Sequence, residues 1–165
     1  MVRAIVLLLI LQLLPSTAYA AKRVALVIGN SAYQHTSPLD NPRNDATDIA
    51  AALKKHDFQV VEGFDLDKAA FDRKVRDFAV ALQGAEVGLF FFAGHGLKVA
   101  GQNYLVPVDA EATSPVALDF EMVRLDVVHR VMERQAERTS LDQHRHAAPI
   151  RRLTISGLPL GCVHR

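Results

Sequence analysis

The sequence predicts an α/β fold, a mostly parallel sheet with helices on both faces. Two observations predict it. Short β-rich apolar runs alternate with helical stripes in the order strand–helix–strand–helix–strand, which implies parallel strands joined by crossover helices. The run at 87–92, VGLFFF, is apolar nearly throughout, as a strand covered on both faces must be.

The elements follow in order. RVALVIG at 23–29 reads as a buried strand stopped by Gly29-Asn30. A polar loop, NSAYQHTSPLD, leads to Asn41, which caps a helix with Pro42 at its first position. Ala46, Ile49, Ala50 and Leu53 give that helix its apolar stripe. FQVV at 58–61 is the second strand. Asp65 or Asp67 opens a second helix, whose Phe71, Val75, Phe78 and Leu82 share one face, and Gly84 ends it. After the third strand, YLVPV at 104–108 reads as a short edge strand, because Pro107 has no N–H for a ladder. Asp126 starts a last helix with Val127, Val128, Val131 and Met132 apolar. From Ala136 onward the pattern lapses. Residues 136–165 hold five arginines, three histidines and no lysine, and Leu153-Thr154-Ile155 is the nearest approach to a strand.

The first 20 residues read as a secretory signal peptide. Arg3 supplies the positive start, residues 4–14 an apolar run of 11, and Ala18-Tyr19-Ala20 a small-x-small cleavage site. A membrane span needs about 20 apolar residues, so a stable anchor is not expected. Cleavage leaves 145 residues, enough for one compact domain, with 18 basic and 18 acidic side chains. That balance argues against a nucleic-acid binder, which shows a clustered basic excess. The expected location is exported, periplasmic or extracellular. The single cysteine, Cys162, excludes an internal disulfide.

In an open parallel sheet, ligands bind beyond the carboxyl ends of the strands. Two loops leave such ends, Gly29 to Tyr33 and Gly94-His95-Gly96. A histidine between glycines is closely approachable, and imidazole exchanges protons near neutral pH. The flanking backbone N–H groups are unhindered, as an oxyanion site requires. The tripeptide taken alone is equally compatible with a glycine-rich turn that includes a histidine.

Over residues 22–135 the chain resembles the caspase-like cysteine peptidases, in particular their bacterial metacaspase-like members. The resemblance rests on RVALVIGNSAY, LDNPRNDATDIAAAL, GLFFFAGHG, NYLVPVDA and ALDFEMVRLDVVHRVME, in that order. It implies a three-layer αβα sandwich of the caspase–haemoglobinase type, incomplete at its C-terminal side, acting on peptide or protein substrates. It further implies that His95 is the general base of a cysteine–histidine dyad and that the Gly96 N–H joins the oxyanion hole. Asp45 matches the acid of the metacaspase specificity pocket, favouring arginine or lysine before the cut bond. The same aspartate also suits a first helical turn, where it complements the helix dipole. Arg43 is a looser match to the pocket arginine of aspartate-selecting caspases. Phe92 and Ala93 stand where related metacaspases often have tyrosine and serine, which alters the polarity of the pocket. No cofactor or metal is evident, His144 and His146 read as incidental polar residues, and a calcium requirement is left open.

The resemblance lacks one part. The family's fourth apolar strand ends in an Asp-x-Cys motif that carries the nucleophile, about 50 residues after the histidine. Here the only cysteine, Cys162, lies 67 residues after His95, with no strand before it. A displacement of about 1 Å costs roughly 100-fold in rate, so Cys162 is a poor candidate nucleophile despite its basic neighbours His164 and Arg165. The expectation is a truncated or frame-shifted peptidase domain, inactive as this chain, with 136–165 an atypical, disordered tail. Loss of the fourth strand would leave the third with an open apolar edge prone to self-association. The alternative is a non-catalytic pseudo-peptidase that binds peptide or a partner in the same crevice. A nucleotide-binding domain is disfavoured by the missing G-x-G-x-x-G spacing and P-loop lysine, and a serine hydrolase by the missing G-x-S-x-G elbow.

Overall fold

The structure, a computed structural model, describes residues 21–112, 114–143 and 154–155. The proposed leader, His144, His146 and Cys162 lie outside the described residues.

Strand β1 (Arg23–Gly29) is the centre of the main sheet, and β2 (Phe58–Phe64) and β3 (Val87–Ala93) flank it in parallel. A two-residue strand, β7 (Thr154–Ile155), completes the order β2-β1-β3-β7. Helix α1 (Pro42–Lys55) joins β1 to β2, and α2 (Lys68–Ala81) joins β2 to β3. A second sheet holds β4 (Gly96–Val99), β5 (Gln102–Leu105) and β6 (Val123–Arg124), all antiparallel. Helix α3 (Ala117–Glu121) precedes β6, and α4 (Leu125–Gln143) follows it.

Alternation along β1 builds the three layers. Val24, Leu26 and Ile28 pack with Phe71, Val75 and Phe78 of α2 and Val128 and Met132 of α4. Ala25 and Val27 face the other way, against Ala46 and Ala50 of α1. Strand β3 divides identically, with Phe90 and Phe92 on the α2 side and Phe91 and Ala93 on the α1 side. The expected αβα sandwich is therefore the observed one, and both faces of β1 and β3 are covered because neither carries a polar side chain over that run.

Several boundaries differ from the sequence expectation. Asn41 occupies the N-cap position of α1, with Pro42 beginning the helix, but its side chain makes no capping bond. The α2 cap is Asp67, whose carboxylate accepts the Ala70 N–H at 2.6 Å. Strand β2 runs on to Phe64, three residues beyond FQVV, because the β1 register continues through Gly29↔Phe64. The edge-strand reading of 104–108 becomes a hairpin of β4 and β5 turned by Ala100 (φ 47°) and Gly101 (φ 83°), both in the left-handed region.

After Gln135, where the sequence shows no clear period, the structure describes two further stretches. Helix α4 begins at Leu125, one residue before Asp126, and continues to Gln143. Glu133 to Arg138 carry little apolar periodicity but are strong helix formers, so propensity extends a helix that the stripe alone does not mark. Thr154 and Ile155 then pair with Leu89 and Phe90 of β3. The edge of β3 is occupied there, which removes the expected open edge at those two residues.

Phe71 is fully buried and stacks on Phe92 at a centroid distance of 5.8 Å. Truncation to alanine leaves a cavity in the α2 layer. Phe71→Ala is expected to cost about 3–5 kcal/mol in urea unfolding, whereas Phe120→Ala, at a residue 74% exposed, should change stability by less than about 0.5 kcal/mol.

Candidate active site

The site forms where β1 and β3 end side by side. Gly29 and Ala93 are register partners, and the Asn30 N–H donates to the Ala93 carbonyl at 2.9 Å. The two chains therefore leave the sheet together, one as the loop from Asn30 and the other as Gly94-His95-Gly96. Gly29 admits no side chain, since a Cβ there would meet the Pro42 carbonyl and Ala46. The first turn of α1 consequently closes onto the end of β1.

Asn30 is fully buried, and its carboxamide is satisfied on both sides. Its oxygen accepts the Leu66 N–H at 2.9 Å, and its amide donates to the Val106 carbonyl at 3.2 Å and the Leu66 carbonyl at 3.4 Å. Asp65, at φ 50°, holds the next two residues. Oδ1 accepts from the Ser31 and Ala32 N–H groups at 2.7 and 2.9 Å, and Oδ2 accepts from the Arg43 guanidinium at 2.7 Å. Partial burial pushes the Asp65 carboxyl up, but the two N–H bonds and Arg43 outweigh it and hold it below its ordinary value.

His95 is half-buried and pinned on four sides. Its N–H donates to the Tyr33 hydroxyl at 2.7 Å, and its carbonyl accepts the Val106 N–H at 3.0 Å. The Tyr33 ring lies against the imidazole with centroids 4.5 Å apart and planes tilted by 55°. The imidazole Nε2 is 2.9 Å from the Ser37 carbonyl. A carbonyl oxygen only accepts, so Nε2 carries the proton in this contact and Nδ1 is the basic nitrogen. Burial raises the Tyr33 hydroxyl well above its ordinary value, the His95 N–H bond lowering it and nearby Asp65 raising it, so the phenol stays protonated through the physiological range.

Gly96 opens β4 opposite Leu105. The bond from the Val106 N–H to the His95 carbonyl makes 96/105 a non-hydrogen-bonded pair, so the Gly96 N–H turns away from β5. Strand β4 is an edge of its sheet, and this donor faces the open side.

The structure thus brings His95 and the Gly96 donor together, with Asp45 at the same end of the sheet. Asp45 is half-buried in the first turn of α1, and among the described residues no cationic side chain lies within 4.0 Å of its carboxylate. Arg43 is instead engaged, bonded to Asp65 with its guanidinium 5.3 Å over the Phe64 ring. Among the described residues no three His, Cys, Asp or Glu side chains gather as a metal would require. Sequence reasoning missed Asn30, Tyr33, Ser37 and Asp65. The first two stand in GNSAY, next to a strand end, and Asp65 was legible only as a helix-start acid.

A parallel αβα sandwich that presents a histidine between glycines at the end of a central strand is the architecture of a caspase-type domain. The sequence model of the caspase domain family matches residues 22–146, and the chain belongs to that family. The match extends beyond residue 135, where the resemblance was expected to end. Human (Homo sapiens) mucosa-associated lymphoid tissue lymphoma translocation protein 1 and its Mus musculus homolog are each 36% identical over 91 residues, covering 55% of this chain. The chain spans 11% of the length of those relatives. The crystal structure of the Drosophila initiator caspase Dronc shares the fold at a TM-score of 0.52 and 13% identity, over 65% of this chain and 39% of that one.

The lowered Asp65 carboxyl has a sign that can be tested. A depressed folded-state value contributes stability that is fully present above the unfolded carboxyl's value, about 3.9, and is lost as the pH falls through the folded one. Wild type should exceed Asp65→Asn in thermal stability by a constant margin between pH 5 and pH 7, and that margin should shrink steadily below about pH 4.

Proposed function

We propose that the chain carries the general-base half of a cysteine-type endopeptidase site and, as this chain, does not complete it. The observation that supports the reading is the His95 geometry. Nε2 is tied to the Ser37 carbonyl, Nδ1 is left basic, and the N–H of the next residue, Gly96, has no partner among the described residues. In the reaction this arrangement suits, Nδ1 takes the proton of a thiol and the thiolate adds to the peptide carbonyl. The Gly96 N–H holds the oxyanion, and the imidazolium returns its proton to the leaving amine. Water then hydrolyses the thioester. Residues 22–143 contain no cysteine, and Cys162 lacks the Asp-x-Cys context of a family nucleophile.

The substrate class we propose is a peptide or protein with arginine or lysine before the cut bond, in the metacaspase manner. The Asp45 carboxylate, with no cationic partner among the described residues, supports it, and the engagement of Arg43 with Asp65 disfavours selection of aspartate. A chain that keeps the crevice without a competent thiol also serves the second reading, a pseudo-peptidase that binds such peptides without cutting them. The first 20 residues support export as the setting. Among the described residues no helix is long and apolar enough to cross a membrane.

The test offers the full chain fluorogenic peptides with Arg, Lys or Asp before the cut. Turnover is expected at the level of His95→Ala. Equilibrium binding should favour the Arg and Lys peptides, and Asp45→Asn should weaken that preference by about tenfold, the scale of one charge-assisted bond. Turnover abolished by both His95→Ala and Cys162→Ala would overturn the reading and make Cys162 the nucleophile.

A further inference from the structure

We propose that Tyr33 is a positioning residue for His95, fixing through its hydroxyl the backbone and the tautomer of the base. The inference rests on the reading of His95 as the general base and adds how that base is held.

The hydroxyl is the acceptor of the His95 N–H at 2.7 Å, a donor no sheet ladder uses. With the carbonyl already bound by Val106, both polar groups of the His95 backbone are fixed, and only the side-chain torsions are left to set. The Tyr33 ring restricts those by covering one face of the imidazole at 4.5 Å. The remaining rotation places Nε2 on the Ser37 carbonyl.

The glycine before His95 follows from the same contact. A Cβ on Gly94 would stand 2.5 Å from the Tyr33 hydroxyl and 2.7 Å from the Phe92 ring. The phenol therefore occupies the space that any other residue would fill. Its φ of 157° adds a backbone conformation that residues with a Cβ rarely adopt.

Tyr33 is itself rigid. It is 7% exposed, and the backbone bonds around it form a bracket. Ser31 and Ala32 are bound to Asp65, the Tyr33 N–H donates to the Ser31 carbonyl at 3.1 Å, and the Gln34 N–H donates to the Val108 carbonyl at 2.8 Å. The Leu39 N–H returns to the Ser31 carbonyl at 3.0 Å, closing the loop that carries Ser37. One loop thus supplies both the acceptor for the His95 backbone and the acceptor for its ring. A tyrosine protonated across the physiological range accepts one bond and keeps its own proton, so it holds the base without competing for the proton the base moves.

The experiment reads the imidazole directly and needs no turnover. Long-range proton–nitrogen correlation spectra of the full chain are recorded at about pH 8, where histidine is neutral, with His95→Gln assigning the signals. Wild type is expected to show His95 as the Nε2–H tautomer with a protected amide. Tyr33→Phe keeps the ring and removes only the hydroxyl. It should mix the tautomers and speed His95 amide exchange by about tenfold, the value of one lost hydrogen bond. A tautomer fraction and amide protection unchanged in a folded Tyr33→Phe chain would overturn the proposal, as would an even tautomer mixture in wild type. A role confined to packing would lower the melting temperature and leave the tautomer in place. Failure of the peptidase reading shows instead in the peptide assay, which these spectra do not touch.

Discussion

Asn30 sits fully buried at the end of the central strand, and an unsatisfied carboxamide there would cost about 1–3 kcal/mol. Its partners determine where three separate stretches of chain must lie. The Leu66 backbone fixes the start of the β2–α2 connection, Val106 fixes the exit from β5, and the Asn30 N–H fixes the end of β3 at Ala93. Each of those stretches then carries a part of the site. The β2 end bears Asp65, the residue after β5 binds the His95 carbonyl, and the β3 end bears His95 itself. The amide group is small and polar, yet its bond to the Val106 carbonyl ties the end of the main sheet to the exit from β5.

From that anchor the His95 imidazole is held by parts distant in sequence. His95 comes from one strand end, but its orientation comes from the loop of another. Tyr33 and Ser37 belong to the chain leaving β1, and Asp65 to the chain leaving β2. A parallel sheet makes this possible because all its strands deliver their C-terminal ends to one side. The short connection between β3 and β4 could not hold an imidazole by itself, since Gly94 and Gly96 provide no side chains to pack against it.

The layers of the fold were legible because β1, β3, α1 and α2 carry unambiguous periods. Val24 to Ile28 and Val87 to Phe92 leave no face for solvent, and Phe71, Val75 and Phe78 fall on one helical side. The placement of His95 at a strand end was legible because the apolar run before it stops at Gly94. What was not legible depends on long-range geometry. Asp65 resembles any helix-start acid until β2 is known to run to Phe64 and bring it under Ser31 and Ala32. The continuation of α4 to Gln143 was missed because Glu133 to Arg138 show propensity without a stripe, and β7 showed only as the weak strand Leu153-Thr154-Ile155 because two residues are too few to establish a period.

The hold on His95 has a structural logic. The groups that bond to His95 are Tyr33, Ser37 and Val106, on the loops that leave β1 and β5. On the proposed reading, a chain without a competent thiol would lack a reactant and keep the holder of the base intact. Hydrogen bonds made to satisfy a buried backbone persist for reasons of stability, independent of whether the imidazole they aim has a proton to accept. The same rigidity holds the Gly96 donor and the Asp45 carboxylate, which in the proposed reading would meet the oxyanion and a basic side chain of the peptide. On this reasoning binding would outlast catalysis in such a domain, because the groups that recognise a peptide share their supports with the fold.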